Sequence, residues 1–120
     1  MLSDNEVEKL VNSAKEVMQS TGQSIVSIGS YTVALVTSIF GEDRVRELQS
    51  GSYALPVFVA TEEGSEIVSL ILPDFETTQN FFASPDEPKA FYVVGRLRER
   101  VDDVGIVRRS IIVQGFREVS

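Results

Sequence analysis

Apolar residues recur at three- and four-residue steps near the start of the chain, at Val7, Leu10, Val11, Ala14, Val17 and Met18, which is one face of a helix. Ser3 followed by Glu6 has the spacing of a capping box and Gly22 supplies a stop, so the pattern predicts an amphipathic helix from about Asp4 to Ser20. Its apolar stripe must pack on the rest of the domain or on a partner. After Gly22 the pattern changes to that of strands. Tyr31 to Ile39 is rich in β-branched residues, and Ser24 to Ile28 reads as part of the same strand, bent at Gly29. Tyr53 to Ala60 and Glu66 to Leu72 are two more strands, joined by the polar, glycine-containing loop Thr61 to Ser65. Between Asp74 and Ala83 the pattern fits a short helix capped by Asp74, with Phe75, Gln79 and Phe82 on one side, or a loop. Ser84 to Pro88 is a turn, and Ala90 to Arg100 and Ile106 to Val119 are the last two strands, turning through Asp102, Asp103 and Gly105.

The expected chain is therefore mainly β: a helix, one strand, a two-stranded hairpin, a short helix or loop, and a second hairpin. Five strands in this order, with a helical connection between the third and fourth, are the order of the OB-fold, a five-stranded Greek-key barrel. A bent first strand fits, because in such barrels it pairs with both neighbours. Residues 1–120 then form a single domain, with the helix in 1–22 and the barrel in 24–119. A chain of 120 residues is long enough to bury about two-thirds of its unfolded surface in one core.

Alternation along the fourth strand places Phe91, Val93 and Leu97 on one face and Tyr92, Arg96, Arg98 and Arg100 on the other. The first set would fill the barrel. The second and third strands are apolar on both faces, with Leu55, Val57 and Val59 opposite Ala54, Phe58 and Ala60 on the second. Something is expected to cover their outer face, either the N-terminal helix or a partner subunit.

The charge is unevenly distributed. The chain carries a formal −7, yet residues 89–120 hold seven basic side chains against four acidic ones. Arg96, Arg98, Arg100, Arg108 and Arg109 all lie on the last hairpin, as a surface for a nucleic acid or an acidic protein, or as a solvated face paired with Glu99, Asp102, Asp103 and Glu118. No cysteine and no histidine is present, which removes thiol chemistry, imidazole acid–base work and the usual zinc sites. The acidic pairs Glu42-Asp43, Glu62-Glu63, Asp86-Glu87 and Asp102-Asp103 sit at turns and lack calcium-loop spacing. No phosphate loop, dinucleotide fingerprint or nucleophile elbow occurs. A non-catalytic protein without metal or cofactor is expected. No apolar run reaches the about 20 residues of a membrane span, and the acidic start, with Ser3, Asp4, Glu6 and Glu8, is unlike a secretion signal, so a cytoplasmic protein without a membrane partner is expected.

The stretch from Phe91 to Glu99, built on Val94-Gly95-Arg96-Leu97-Arg98, and the returning Ser110 to Val119 resemble the fourth and fifth strands of OB-folds in the replication protein A group of single-strand binders. The resemblance implies binding of single-stranded nucleic acid, DNA rather than RNA, across strands two and three and the loops joining strands one to two and four to five. Mapped onto this sequence, the site residues are Arg44 and Arg46 in the first loop and Tyr92, Arg96, Arg98, Arg100, Arg108 and Arg109 on the last hairpin. Tyr92 would stack a base beside guanidinium groups that follow the phosphates. A second reading takes the doubly apolar strands and the amphipathic helix as marks of a protein-interaction OB-fold, an accessory subunit of a replication, repair or telomere-type complex, or as surfaces for self-association.

Overall fold

The structure, a computed structural model, describes residues 1–119. The opening helix α1 spans Asp4–Thr21 and is bounded as its sequence dictates. The Ser3 side chain accepts from the Glu6 amide while the Glu6 carboxylate accepts from the Ser3 amide, both at 3.2 Å. At the other end Gly22 takes the left-handed conformation, φ 73°, that ends helices at little cost for glycine alone.

Seven strands follow: β1 (Ile25–Ile28), β2 (Tyr31–Ser38), β3 (Arg46–Glu47), β4 (Tyr53–Thr61), β5 (Gly64–Leu72), β6 (Lys89–Val101) and β7 (Val107–Glu118), with the short helix α2 (Phe75–Gln79) between β5 and β6. The sheet order is β1-β2-β6-β7-β5-β4-β3, and a further pairing of β2 with β4 at Thr37 and Phe58 closes the five central strands into a barrel. The β5–β7 pairing is parallel and the others are antiparallel. This is the OB-fold that the strand order predicts.

Residues 25–38 depart from expectation. They form a tight hairpin of two strands rather than one bent strand, with Ile28 opposite Tyr31. Gly29 occupies the first of the two turn positions with φ 60°, as a type II′ turn requires. The glycine reverses the chain where a bulge would only have bent it.

The barrel interior is filled by alternate residues of the five barrel strands, among them Val36, Leu55, Val57, Leu70, Phe91 and Ile111. Asp74 caps α2 through the Thr77 amide at 2.7 Å, and the chain leaving that helix drives Phe81 fully into the core, 4.5 Å from the Phe91 ring and 4.8 Å from Phe116. Phe116 reaches the interior because β7 carries an extra residue. Val94 lies opposite Gly115 but Gly95 lies opposite Val113, so Gln114 is a bulge, and the inward positions move from Ile111 and Val113 to Phe116.

The helix packs Val7, Val11 and Ala14 against the outer side of β1, β2 and β6, on Val26, Val33 and Val94. Burying each valine stabilises this contact by about 1.5 kcal/mol or more. Strands β4 and β5 are not the strands it covers, so of the two covers expected for their outer face the helix is not the one. The outer sides of β1, β2 and the near half of β6 are as apolar as those of β4 and β5, and the three-residue connection from α1 to β1 holds the helix on its sequence neighbours. No helix among the described residues is long and apolar enough to cross a membrane.

Candidate nucleic-acid interface

The outer surface that α1 leaves open is crossed by rungs of paired residues. Arg46 on β3 pairs with Ala54 on β4, Ala54 with Ile71 on β5, Ile71 with Ile112 on β7, and Ile112 with Arg96 on β6. An arginine thus stands at each end of one rung, four strand spacings or about 19 Å apart along the sheet. The next rung runs Pro56, Ser69, Ser110 and Arg98. Beyond it Arg100 pairs with Arg108.

These rungs form the floor and one wall of an open groove of about 680 Å³. Arg46, Leu48, Ser50 and Ser52 border it from the β3–β4 side, Arg98, Arg100 and Arg108 from the hairpin side, and Ser69, Ile71, Ser110 and Ile112 lie on its floor. A floor of hydroxyls and aliphatic side chains between cationic walls provides hydrogen-bond partners, an apolar surface for flat rings, and charge for phosphates.

The arginines differ in their freedom. Arg108 donates from Nε to the Asp102 carboxylate at 3.1 Å, and Arg109 bridges Glu66 at 3.5 Å and Glu99 at 3.7 Å. Among the described residues, Arg46, Arg96, Arg98 and Arg100 have no carboxylate within 4.0 Å. The expected solvated face of paired charges accounts for Arg108 and Arg109 of the hairpin and leaves Arg96, Arg98, Arg100 and Arg117 on it, among the described residues, without a carboxylate partner.

Asp102 organises the hairpin loop. Its Oδ1 accepts from the amides of Val104 at 3.0 Å and Ile106 at 2.9 Å, while Oδ2 holds Arg108. The Ile106 amide acts most strongly on the carboxyl; burial, the next effect, opposes it, and Arg108 and the Val104 amide add to the lowering, so the carboxyl lies below its ordinary range. An acid at the turn therefore keeps one wall arginine in place.

Of the eight residues singled out by sequence, five line this groove: Arg46, Arg98, Arg100, Arg108 and Arg109. Arg96 stands at the end of its rung beside it. Arg44 does not join them. It lies in the short 3-10 turn Glu42–Arg44, with its guanidinium carbon 4.7 Å from the centre of the Phe40 ring and Nε 4.0 Å from Asp43. Arg109 also differs from its neighbour: it leaves β7 on the side opposite Arg108, in line with Ile111, and borders the groove from the barrel mouth together with Glu99, where Glu66 also reaches it.

Tyr92 is on the outer side of β6, as alternation requires, yet it stands opposite Arg117 and not beside Arg98 and Arg100. It packs against the cluster under α1, with the Lys15 ammonium 5.2 Å from its ring centre. Six residues separate it from Arg98, about 20 Å of strand. It borders a different, shallower groove with Lys15, Met18 and Leu35. Sequence reasoning missed the floor. Ser69 and Ile71 share the outer alternation of β5, and Ser110 and Ile112 that of β7, but only the parallel pairing of the two strands brings them together.

No protein-family model matches the chain, and no curated protein sequence matches it. Among solved structures it is similar to a small single-stranded DNA-binding protein from Streptomyces coelicolor, with a TM-score of 0.50 and 16% sequence identity over 77% of this chain and 96% of that one. At this identity the likeness is one of fold, and it agrees with the barrel described above.

Proposed function

We propose that this chain is a non-catalytic OB-fold protein that binds single-stranded nucleic acid, DNA rather than RNA, in the groove between Arg46 and the last hairpin. The observation that carries this reading is the groove itself: unpaired Arg46, Arg98 and Arg100 on facing walls above a floor of Ser69, Ile71, Ser110 and Ile112. Cationic walls follow a phosphate backbone without regard to sequence, and an open apolar floor accepts bases splayed from a single strand. That the Streptomyces coelicolor protein of similar fold is described as a single-stranded DNA-binding protein supports the same ligand class. The surrounding acidity, a formal −7 overall, keeps the attraction local to the groove. Roles in cytoplasmic DNA replication, repair or recombination, and the tie to the replication protein A group through the β6–β7 motif, are part of this proposal.

The test is fluorescence anisotropy of labelled single-stranded DNA and RNA at two salt concentrations. Binding is expected to weaken steeply with salt, to be stronger for DNA, and to disappear when Arg46, Arg98 and Arg100 are replaced by alanine. Absence of binding at low salt overturns the reading.

One observation favours the second reading, an accessory subunit of such a complex. The outer side of β4 and β5 is not covered by α1, and Ile67 there is 58% exposed. An Ile67→Glu variant that keeps single-strand binding but loses a co-purifying partner would support it.

A further inference from the structure

The β6–β7 hairpin outruns the barrel. Strand β5 pairs with β7 only at residues 110–112, whereas β6 and β7 remain paired out to Val101 and Val107. The ribbon therefore extends about three residues, roughly 10 Å, past its last support. Its end is apolar. Val101 is 63% exposed, Val104 77%, Ile106 50% and Val107 51%, so four of the seven large exposed hydrophobic side chains among the described residues fall within seven consecutive positions. Immediately behind them the paired Arg100 and Arg108 project to one side of the ribbon, while Val101 and Val107 occupy the other.

We propose that this tip is a wedge that engages the end of a duplex, so that the preferred nucleic acid is a junction between single- and double-stranded segments. The inference rests on the nucleic-acid reading of the groove. The single-stranded arm lies along Arg98, Arg100 and Arg46, and Val101, Val104, Ile106 and Val107 abut the first base pair. Aliphatic side chains pressed against a base step can replace part of its stacking and open it. The occupant follows from charge. Two copies meeting tip to tip could set Arg100 of one against Asp103 of the other, but would leave Arg46 and Arg98 in the groove without a partner. An anionic membrane would meet only the tip, would leave Arg46 on the far wall without a partner, and would be repelled by the rest of an acidic chain. A nucleic acid uses the tip, both walls and the floor together.

The experiment compares the full chain on a single strand, a blunt duplex, and a duplex bearing that same strand as an overhang, with 2-aminopurine at the junction base. The overhang duplex is expected to bind about fivefold to tenfold tighter than the single strand alone, in the range of one stacked base. The 2-aminopurine emission is expected to rise on binding as the base unstacks. A Val104→Ser and Ile106→Ser double variant, at exposed loop positions whose backbone amides still meet Asp102, is expected to lose both effects and keep single-strand affinity within about twofold. Equal affinity for strand and overhang duplex, or an unaltered double variant, overturns the wedge and leaves the groove standing. So does tip-dependent sedimentation with phosphatidylserine–phosphatidylcholine vesicles, or tip-dependent dimerisation, when no junction preference accompanies it. Failure to bind any of the three oligonucleotides overturns the groove and the wedge together.

Discussion

Gly95 on β6 faces the backbone of Ile112 on β7 so closely that a β-carbon at position 95 would overlap the Ile112 carbonyl. The approach occurs where the register slips past Gln114. Arg96 follows Gly95 directly, opposite Ile112.

Gly95→Ala must therefore separate the two strands or move the bulge. We expect a loss of about 1–3 kcal/mol, the usual range for overfilling a packed site, read as a lower midpoint in urea denaturation. Gly41→Ala is the control, since a β-carbon there meets nothing nearer than 3.6 Å. A Gly95→Ala protein as stable as that control would contradict the packing described.

Each wall arginine that meets a phosphate adds to the salt dependence of binding. Replacing Arg46, Arg98 or Arg100 singly by alanine is expected to reduce the slope of log affinity against log salt by about 0.7, the value for one contact on a single strand. Arg44→Ala, whose guanidinium lies on Phe40 outside the groove, is expected to leave the slope unchanged. Titrations at four salt concentrations decide both.

The Asp102 carboxyl is held below its ordinary 3.8, first by the Ile106 amide. A group depressed in the folded state stabilises it fully above the unfolded value, about 3.9, and ceases to do so as pH falls through the folded value. The loop from Asp102 to Ile106 should therefore stay intact down to pH 4 and loosen only in more acid solution, releasing Arg108. The amide shifts of Val104 and Ile106, followed by NMR from pH 6 to pH 2, should move with a midpoint below 3.8. A midpoint at or above that value would mean that the carboxylate does not hold the turn.

Helix and groove lie on different parts of the barrel surface. Val11→Ala is expected to cost about 2 kcal/mol of stability, from lost burial and the cavity left behind, and to leave oligonucleotide affinity unchanged at temperatures where the protein is folded. Paired measurements of thermal unfolding and anisotropy test this separation.

Much of the fold was legible because each element has its own local cause. The Ser3–Glu6 cap and Gly22 bound α1 within a residue, and Asp74 marks the start of α2. Period-two alternation located the barrel strands and sorted Phe91 from Tyr92. What alternation leaves open is which element lies over an outer face. Tyr92 and Arg98 share a side of β6, yet α1 covers the first and solvent meets the second. The Gln114 bulge was equally hidden, because an extra residue is visible only against the strand it opposes, and so was the inward turn of Phe116. Arg109 parted from Arg108 for the simplest reason: adjacent residues on a strand point to opposite sides, and Glu66 was waiting on the other.

The rung that begins at Arg46 and ends at Arg96 also acts as a ruler. Its span of roughly 19 Å corresponds to five or six nucleotides at a stacked rise of about 3.4 Å, within the footprint of one such barrel. A fragment of two or three nucleotides could reach one end of that rung but not both. On the proposed reading, length and not base sequence is the property of a strand that this surface would measure.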